Sequence, residues 1–143
     1  MANPRVGFKG GERIIVWMLL DKDAGTVSND DPVTYASATS GYVLKASAGD
    51  IPCGVAIETK TAGTADGDVR IAVDVSPDTI YTYAPDAGSV TQALVGKTMD
   101  FGGSQTINID ASTDDCVRCV GVDTANNLLD VQFLTSLADA GVV

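Results

Sequence analysis

From residue 14 onward the chain repeats one pattern: a short apolar or alternating run, then a cluster of Gly, Asp, Ser and Asn. Ten runs read as strands: residues 14–20, 33–36, 42–45, 53–59, 69–75, 79–83, 98–101, 106–109, 117–123 and 128–133. Many short strands separated by turn signals predict an all-β protein, a compact sandwich or barrel. Alternation is strict between Val69 and Val75. Val69, Ile71, Val73 and Val75 fall on one side and Arg70, Ala72 and Asp74 on the other, which predicts one core face and one solvent face. Leu129, Val131 and Phe133 alternate with Asp130 and Gln132 in the same way, and Ile107 and Ile109 repeat it. Residues 88–96 allow one short helix holding Val90, Ala93 and Leu94.

Residues 1–13 break the pattern. Gly7, Gly10, Gly11 and Pro4 oppose helix and regular sheet alike, so this stretch reads as an extended, mobile arm preceding a single β domain over residues 14–143. Arg5, Lys9 and Arg13 against Glu12 give the arm a charge of +2, and the other 130 residues carry 6 basic and 18 acidic groups, −12. The arm's cations are expected to seek acidic surface, on a neighbouring protomer or on a partner, with Val6 and Phe8 as apolar anchors.

The run 14–20, Ile-Ile-Val-Trp-Met-Leu-Leu, is too short to span a membrane, which takes about 20 apolar residues. It is followed by Asp-Lys-Asp with no small-residue cleavage site, so it reads as a strand and not as a signal peptide. Apolar on both faces, it predicts burial at a subunit contact centred on Trp17.

Composition agrees with β structure: 17 Val, 14 Thr and 15 Gly stand against 8 Leu, and the 19 acids are 17 Asp and only 2 Glu. Asp and Gly suit turns, and Val and Thr suit strands. A net charge of −10 disfavours nucleic-acid binding, which needs clustered Lys and Arg. The absence of His removes the commonest general base and metal ligand. Three cysteines, Cys53, Cys116 and Cys119, fit reduced thiols in a protein made in the cytoplasm. Cys116-Val-Arg-Cys119 is formally C-x-x-C, but on a strand positions i and i+3 face opposite sides, so it is expected to be core and not a zinc or redox site. The acidic stretch 21–31 misses the EF-hand spacing and reads as an Asx-turn loop. Ala65-Asp-Gly-Asp68 reads as a hairpin turn, and Asp123-Thr-Ala as turn entry at a strand end. Residues 45–59 and 110–124 weakly echo each other, each placing an acidic turn before a Gly-Val strand. No catalytic residue, cofactor or metal is expected.

The word order of four segments resembles that of tailed-phage capsid decoration, or cement, proteins: residues 42–58 (Tyr-Val-Leu-Lys through Gly-Val-Ala-Ile-Glu), 63–73, 94–101 and 120–133. The resemblance covers roughly residues 40–133 and carries no catalytic residues. It implies a small β fold, a homotrimer, and a place on the virion exterior, where the partner is the major capsid protein whose neighbouring subunits it cements. On that reading Arg5, Val6, Phe8, Lys9, Arg13 and Trp17 make the capsid or inter-subunit contacts. The alternative is an acidic binding module that recognises glycans or a host surface as part of a fibre.

Overall fold

The computed structural model describes residues 6–37 and 39–134. Thirteen strands account for nearly all of its regular structure. They are β1 (Gly7–Gly10), β2 (Ile15–Leu19), β3 (Thr26–Val27), β4 (Pro32–Tyr35), β5 (Val43–Lys45), β6 (Gly54–Ala56) and β7 (Lys60–Thr61). Then come β8 (Arg70–Asp74), β9 (Ile80–Pro85), β10 (Thr98–Gly103), β11 (Thr106–Asn108), β12 (Val117–Asp123) and β13 (Leu128–Phe133). All ten expected runs carry a strand. The expected helix is a three-residue 3-10 turn, Gln92–Leu94. Among the described residues no helix is long and apolar enough to cross a membrane.

Two rings of strands make up the fold. In the first, β9 pairs with β13, β13 with β12, β12 with β10 and β10 with β11, all antiparallel. β11 then returns to the other side of β9 in parallel, so the ring closes. Its strands alternate, and the inward residues Tyr81, Tyr83, Phe101, Ile107, Leu129 and Val131 form one fully buried cluster. Tyr81 and Tyr83 stack with centroids 6.1 Å apart, and the Phe133 ring meets both edge-on.

The second unit runs β2-β8-β6-β4-β5. A single bridge from Leu20 to Val43 brings its two ends together, with the Asp21 amide donating to the Val43 carbonyl at 2.9 Å. Met18, Leu20, Val33, Val43, Ile71 and Val73 fill its interior. The two-stranded ribbon β3–β7 supplies Val27, which is fully buried. At roughly 1.5–3 kcal/mol per fully buried large apolar side chain, these two clusters supply the main stabilisation without a disulfide.

The outer face of the second unit lies partly against the first. Val55 and Ala46 join the first cluster. This explains part of a departure from the expected solvent face of β8: Asp74 is buried there against Tyr81 of the first ring, and Ala72, opposite Trp17 and bonded through its amide to Glu58, is buried as well. Polar groups cross the same boundary. The Tyr81 hydroxyl donates to Asp74 at 2.7 Å, and the Tyr83 hydroxyl donates to the Asp30 carbonyl at 2.8 Å.

Two local expectations change, at residues 65–68 and at Cys116. The segment 65–68 is a turn, with Gly67 at φ +81°, but the strands it joins, β7 and β8, belong to different sheets, so it is not a hairpin. Lys22 donates its amide to Asp66, which ties the turn to the acidic loop instead. The echoing segments 45–59 and 110–124 place their strands, β6 and β12, in different sheets and do not form a repeat. Cys116 precedes β12, directly after Asp115 at φ +47°, so strand alternation does not reach it, and both Cys116 and Cys119 enter the same core. Asp21 forms the expected Asx turn by accepting from the Asp23 amide at 2.8 Å, and Asp31 closes the other end of the acidic loop by reaching back to accept from the Ser28 amide at 2.8 Å.

Candidate functional site

The glycine-rich stretch expected to stand off as an arm is, over Gly7–Gly10, a strand of the first unit, paired with β9. Glycine is what permits it. Gly7 sits at φ +118°, and a Cβ there would collide with the Asp30 carboxylate. A register shift between Phe8 and Gly10 accommodates the irregular backbone. The Phe8 amide faces away from β9 and donates to Asp30 at 3.3 Å, so this edge of β1 is capped. Arg5 lies outside the described residues.

The basic side chains of this stretch find their acidic partners within the same chain. Lys9 pairs with Asp130, which also accepts from the Thr82 hydroxyl at 2.7 Å. Arg13 Nε lies 4.0 Å from the fully buried Asp74 carboxylate, and the guanidinium stands 3.7 Å above the Phe8 ring. The other ring contact of Phe8 is edge-on to Tyr81, with centroids 6.0 Å apart. Phe8 is still 43% exposed and Val6 36%. Phe8, Lys9, Val122, Leu128 and Asp130 border an open groove of about 370 Å³.

Trp17 sits elsewhere, on β2. Only one face of that strand is covered within one chain: Met18 and Leu20 are buried, whereas Ile15, Trp17 and Leu19 project outward. Trp17 is 57% exposed and carries the Arg70 guanidinium 4.4 Å from its ring centroid. The structure therefore divides the expected contact residues into two places, Phe8, Lys9 and Arg13 on the β1 side and Trp17 on β2. Ile15, Leu19 and Arg70 belong with Trp17. The uninterrupted apolar run was the sequence signal for the first two, whereas Arg70 arrives through the β2–β8 register, which pairs it with Leu19.

The thiols are not part of either surface. Burial pushes Cys53 and Cys116 up to about 12 and raises Cys119, so all three are neutral hydrophobes at ordinary pH. Among the described residues, no group of three or more Cys, Asp or Glu side chains is placed to hold a metal. What the exposed side chains offer is stacking, apolar contact and ion pairing, the chemistry of binding.

No protein-family model matches the chain. No curated protein matches it either. A solved structure does match: the crystal structure of the head fiber gp8.5 N base in bacteriophage phi29, with a TM-score of 0.53 and 16% sequence identity, covering 86% of this chain and 97% of that one. At this identity the likeness is one of fold.

Proposed function

We propose that this protein is a structural component of a phage particle, bound to the outer surface of the head, where it cements neighbouring major capsid subunits. The observation that carries the reading is the fold shared with the phi29 head-fiber base, which extends over nearly the whole of that domain. The resemblance of residues 40–133 to capsid decoration proteins, drawn from other features of the chain, supports the same assignment. The acidic body suits a protein that coats a DNA-filled shell without binding DNA. Its action is binding and not catalysis, and the reading includes a trimer, in which three linked contacts raise avidity by about 10²–10⁴-fold over one. Synthesis in the host cytoplasm fits three reduced thiols.

A second reading is favoured by one observation. The exposed Trp17 and Phe8 rings are aromatic platforms of the kind a glycan-binding or host-recognition module uses. One experiment separates the two. Purified protein is mixed with empty expanded heads and, in parallel, applied to a glycan array. Saturable co-sedimentation with heads supports the cement reading, array binding alone supports the second, and neither result defeats both.

A further inference from the structure

The strand β2 is open in two senses at once. Its backbone register with β8 runs Ile15–Asp74 through Leu19–Arg70 without a bulge. At the two ends, the Val75 amide donates to Ile14 and the Leu20 amide donates to Val69, each at 2.8 Å. Antiparallel ladders alternate, so the backbone groups of Val16 and Met18 face β8 and those of Ile15 and Trp17 face outward. Among the described residues nothing pairs with the outward groups. The side chains of Ile15 and Trp17 are also exposed, at 42% and 57%. Natural edge strands are usually protected by a bulge, a Pro, a Lys or a covering segment. β2 has none of these between Ile14 and Met18, and β5 closes the edge only at Leu20.

We infer that β2 pairs antiparallel with β2 of a second copy of this chain about a two-fold axis, with Ile15 opposite Trp17 of that copy. The register follows from the two constraints above. Val43 occupies the edge at Leu20, so the open part centres on Val16, and a two-fold axis there sets outward-facing residues opposite outward-facing residues. Both backbone groups of each Ile15 and Trp17 are then satisfied, in four hydrogen bonds. Their side chains lie on one outer face, where each copy buries the other's apolar stripe. A second copy is the occupant that charge favours. Residues 13–20 contain no acid in a chain with 19, so two molecules at −10 approach here without setting carboxylates against one another. An antiparallel pairing of identical edges is isologous and closes after two copies. It goes beyond the trimer of the proposed function, because it cannot close a trimer and would join one trimer to the next.

The test is residue-resolved amide exchange and light-scattering mass on the full chain, at dilute and concentrated protein. The mass should double with concentration. The Ile15 and Trp17 amides should become protected with it, while Val16 and Met18, bonded to β8 throughout, stay unchanged. Ile15→Pro removes an outward-facing N–H that β8 does not use, together with an exposed apolar side chain, on an edge strand where Pro is tolerated, and Trp17→Thr changes an exposed side chain. Each should keep the circular dichroism of the parent and lose the doubling, whereas Val95→Thr, at an exposed site outside β2, should retain it. Exchange at Ile15 and Trp17 that is independent of concentration overturns the inference. So does doubling that survives both variants, a mass that only triples, or protection of these amides that appears only on added heads.

Discussion

The Tyr81 hydroxyl and the Asp74 carboxylate form a buried 2.7 Å hydrogen bond that joins the two strand rings. Asp74 also accepts from the amides of Ile14 and Ser76, at 3.1 and 3.0 Å, and faces Arg13. One carboxylate thus fixes the entry to β2, the exit from β8 and the contact with β9.

Removing the two partners of that bond should have unequal effects. Tyr81→Phe leaves the carboxylate its two amides and should cost about 1–2 kcal/mol. Asp74→Ala strands a buried hydroxyl and two amides and should cost about 3 kcal/mol or more. Urea unfolding monitored by circular dichroism gives both values. Equal losses would mean that Asp74 acts through Tyr81 alone.

Asp100 holds the loop before β12. Its oxygens accept from the amides of Thr113, Asp114 and Asp115 at 3.1, 2.7 and 2.9 Å. Asp100→Ala should destabilise by about 2–3 kcal/mol, and limited proteolysis should cut first between residues 110 and 116. A protease pattern unchanged from the parent would show that the loop is held by something else.

The buried thiols set an alkaline limit. Cys53 and Cys116 rise from an ordinary 9.0 to about 12 because burial penalises the thiolate. A folded-state pKa above the unfolded one means that the unfolded chain releases protons first as pH rises. The thiols' contribution is therefore intact below about pH 9 and is lost progressively between about 9 and 12. Burial raises Tyr81 and Tyr83 in the same direction. The melting temperature should fall across that window, and Cys53→Ala should flatten the fall while lowering stability at neutral pH. At pH 8 the folded protein should resist iodoacetamide and react only when denatured.

Lys9 is 57% exposed at its side chain, and its partner Asp130 keeps the Thr82 hydroxyl. Lys9→Ala should therefore change stability by less than about 1 kcal/mol. Should head binding weaken in this variant, and weaken more at low salt than at high, Lys9 contacts the capsid directly. Removing residues 2–12 is a different experiment, because it strips β1 from β9 and uncovers the Tyr81 ring. That deletion should lower the melting temperature before any question of binding arises.

Period-two patterning in Val69–Val75 and 128–133 was enough to locate β8 and β13 from the sequence, because alternation reports a half-buried surface directly. Alternation alone predicts solvent on β8's second face, whereas Asp74 there is covered by Tyr81 of a distant ring that no local pattern encodes. β1 was hidden for a related reason. Glycines that oppose sheet by propensity are required at Gly7 by the closeness of Asp30, a contact across 23 positions. The strands β3 and β7 are two residues each, shorter than any alternation that could reveal them. At the candidate surfaces, Trp17 stood out as the only tryptophan in an unbroken apolar run. The pairing of Lys9 with Asp130 and of Arg13 with Asp74 could not be read, because charge sums show that acid is available but not which acid is near.

The order of strands within the sheets also sets a timetable. β2 ends at Leu19 and its partner β8 begins at Arg70, while β1 ends at Gly10 and its partner β9 begins at Ile80. A ribosome adding about 5–20 residues per second needs several seconds to supply either partner. Through that interval the nascent chain presents Ile14–Leu20, its most apolar stretch, with no strand to receive it. Production at high yield should therefore depend on what shelters this segment during synthesis, and co-expressing a chaperone that binds short apolar stretches should move the protein from inclusion bodies to the soluble fraction.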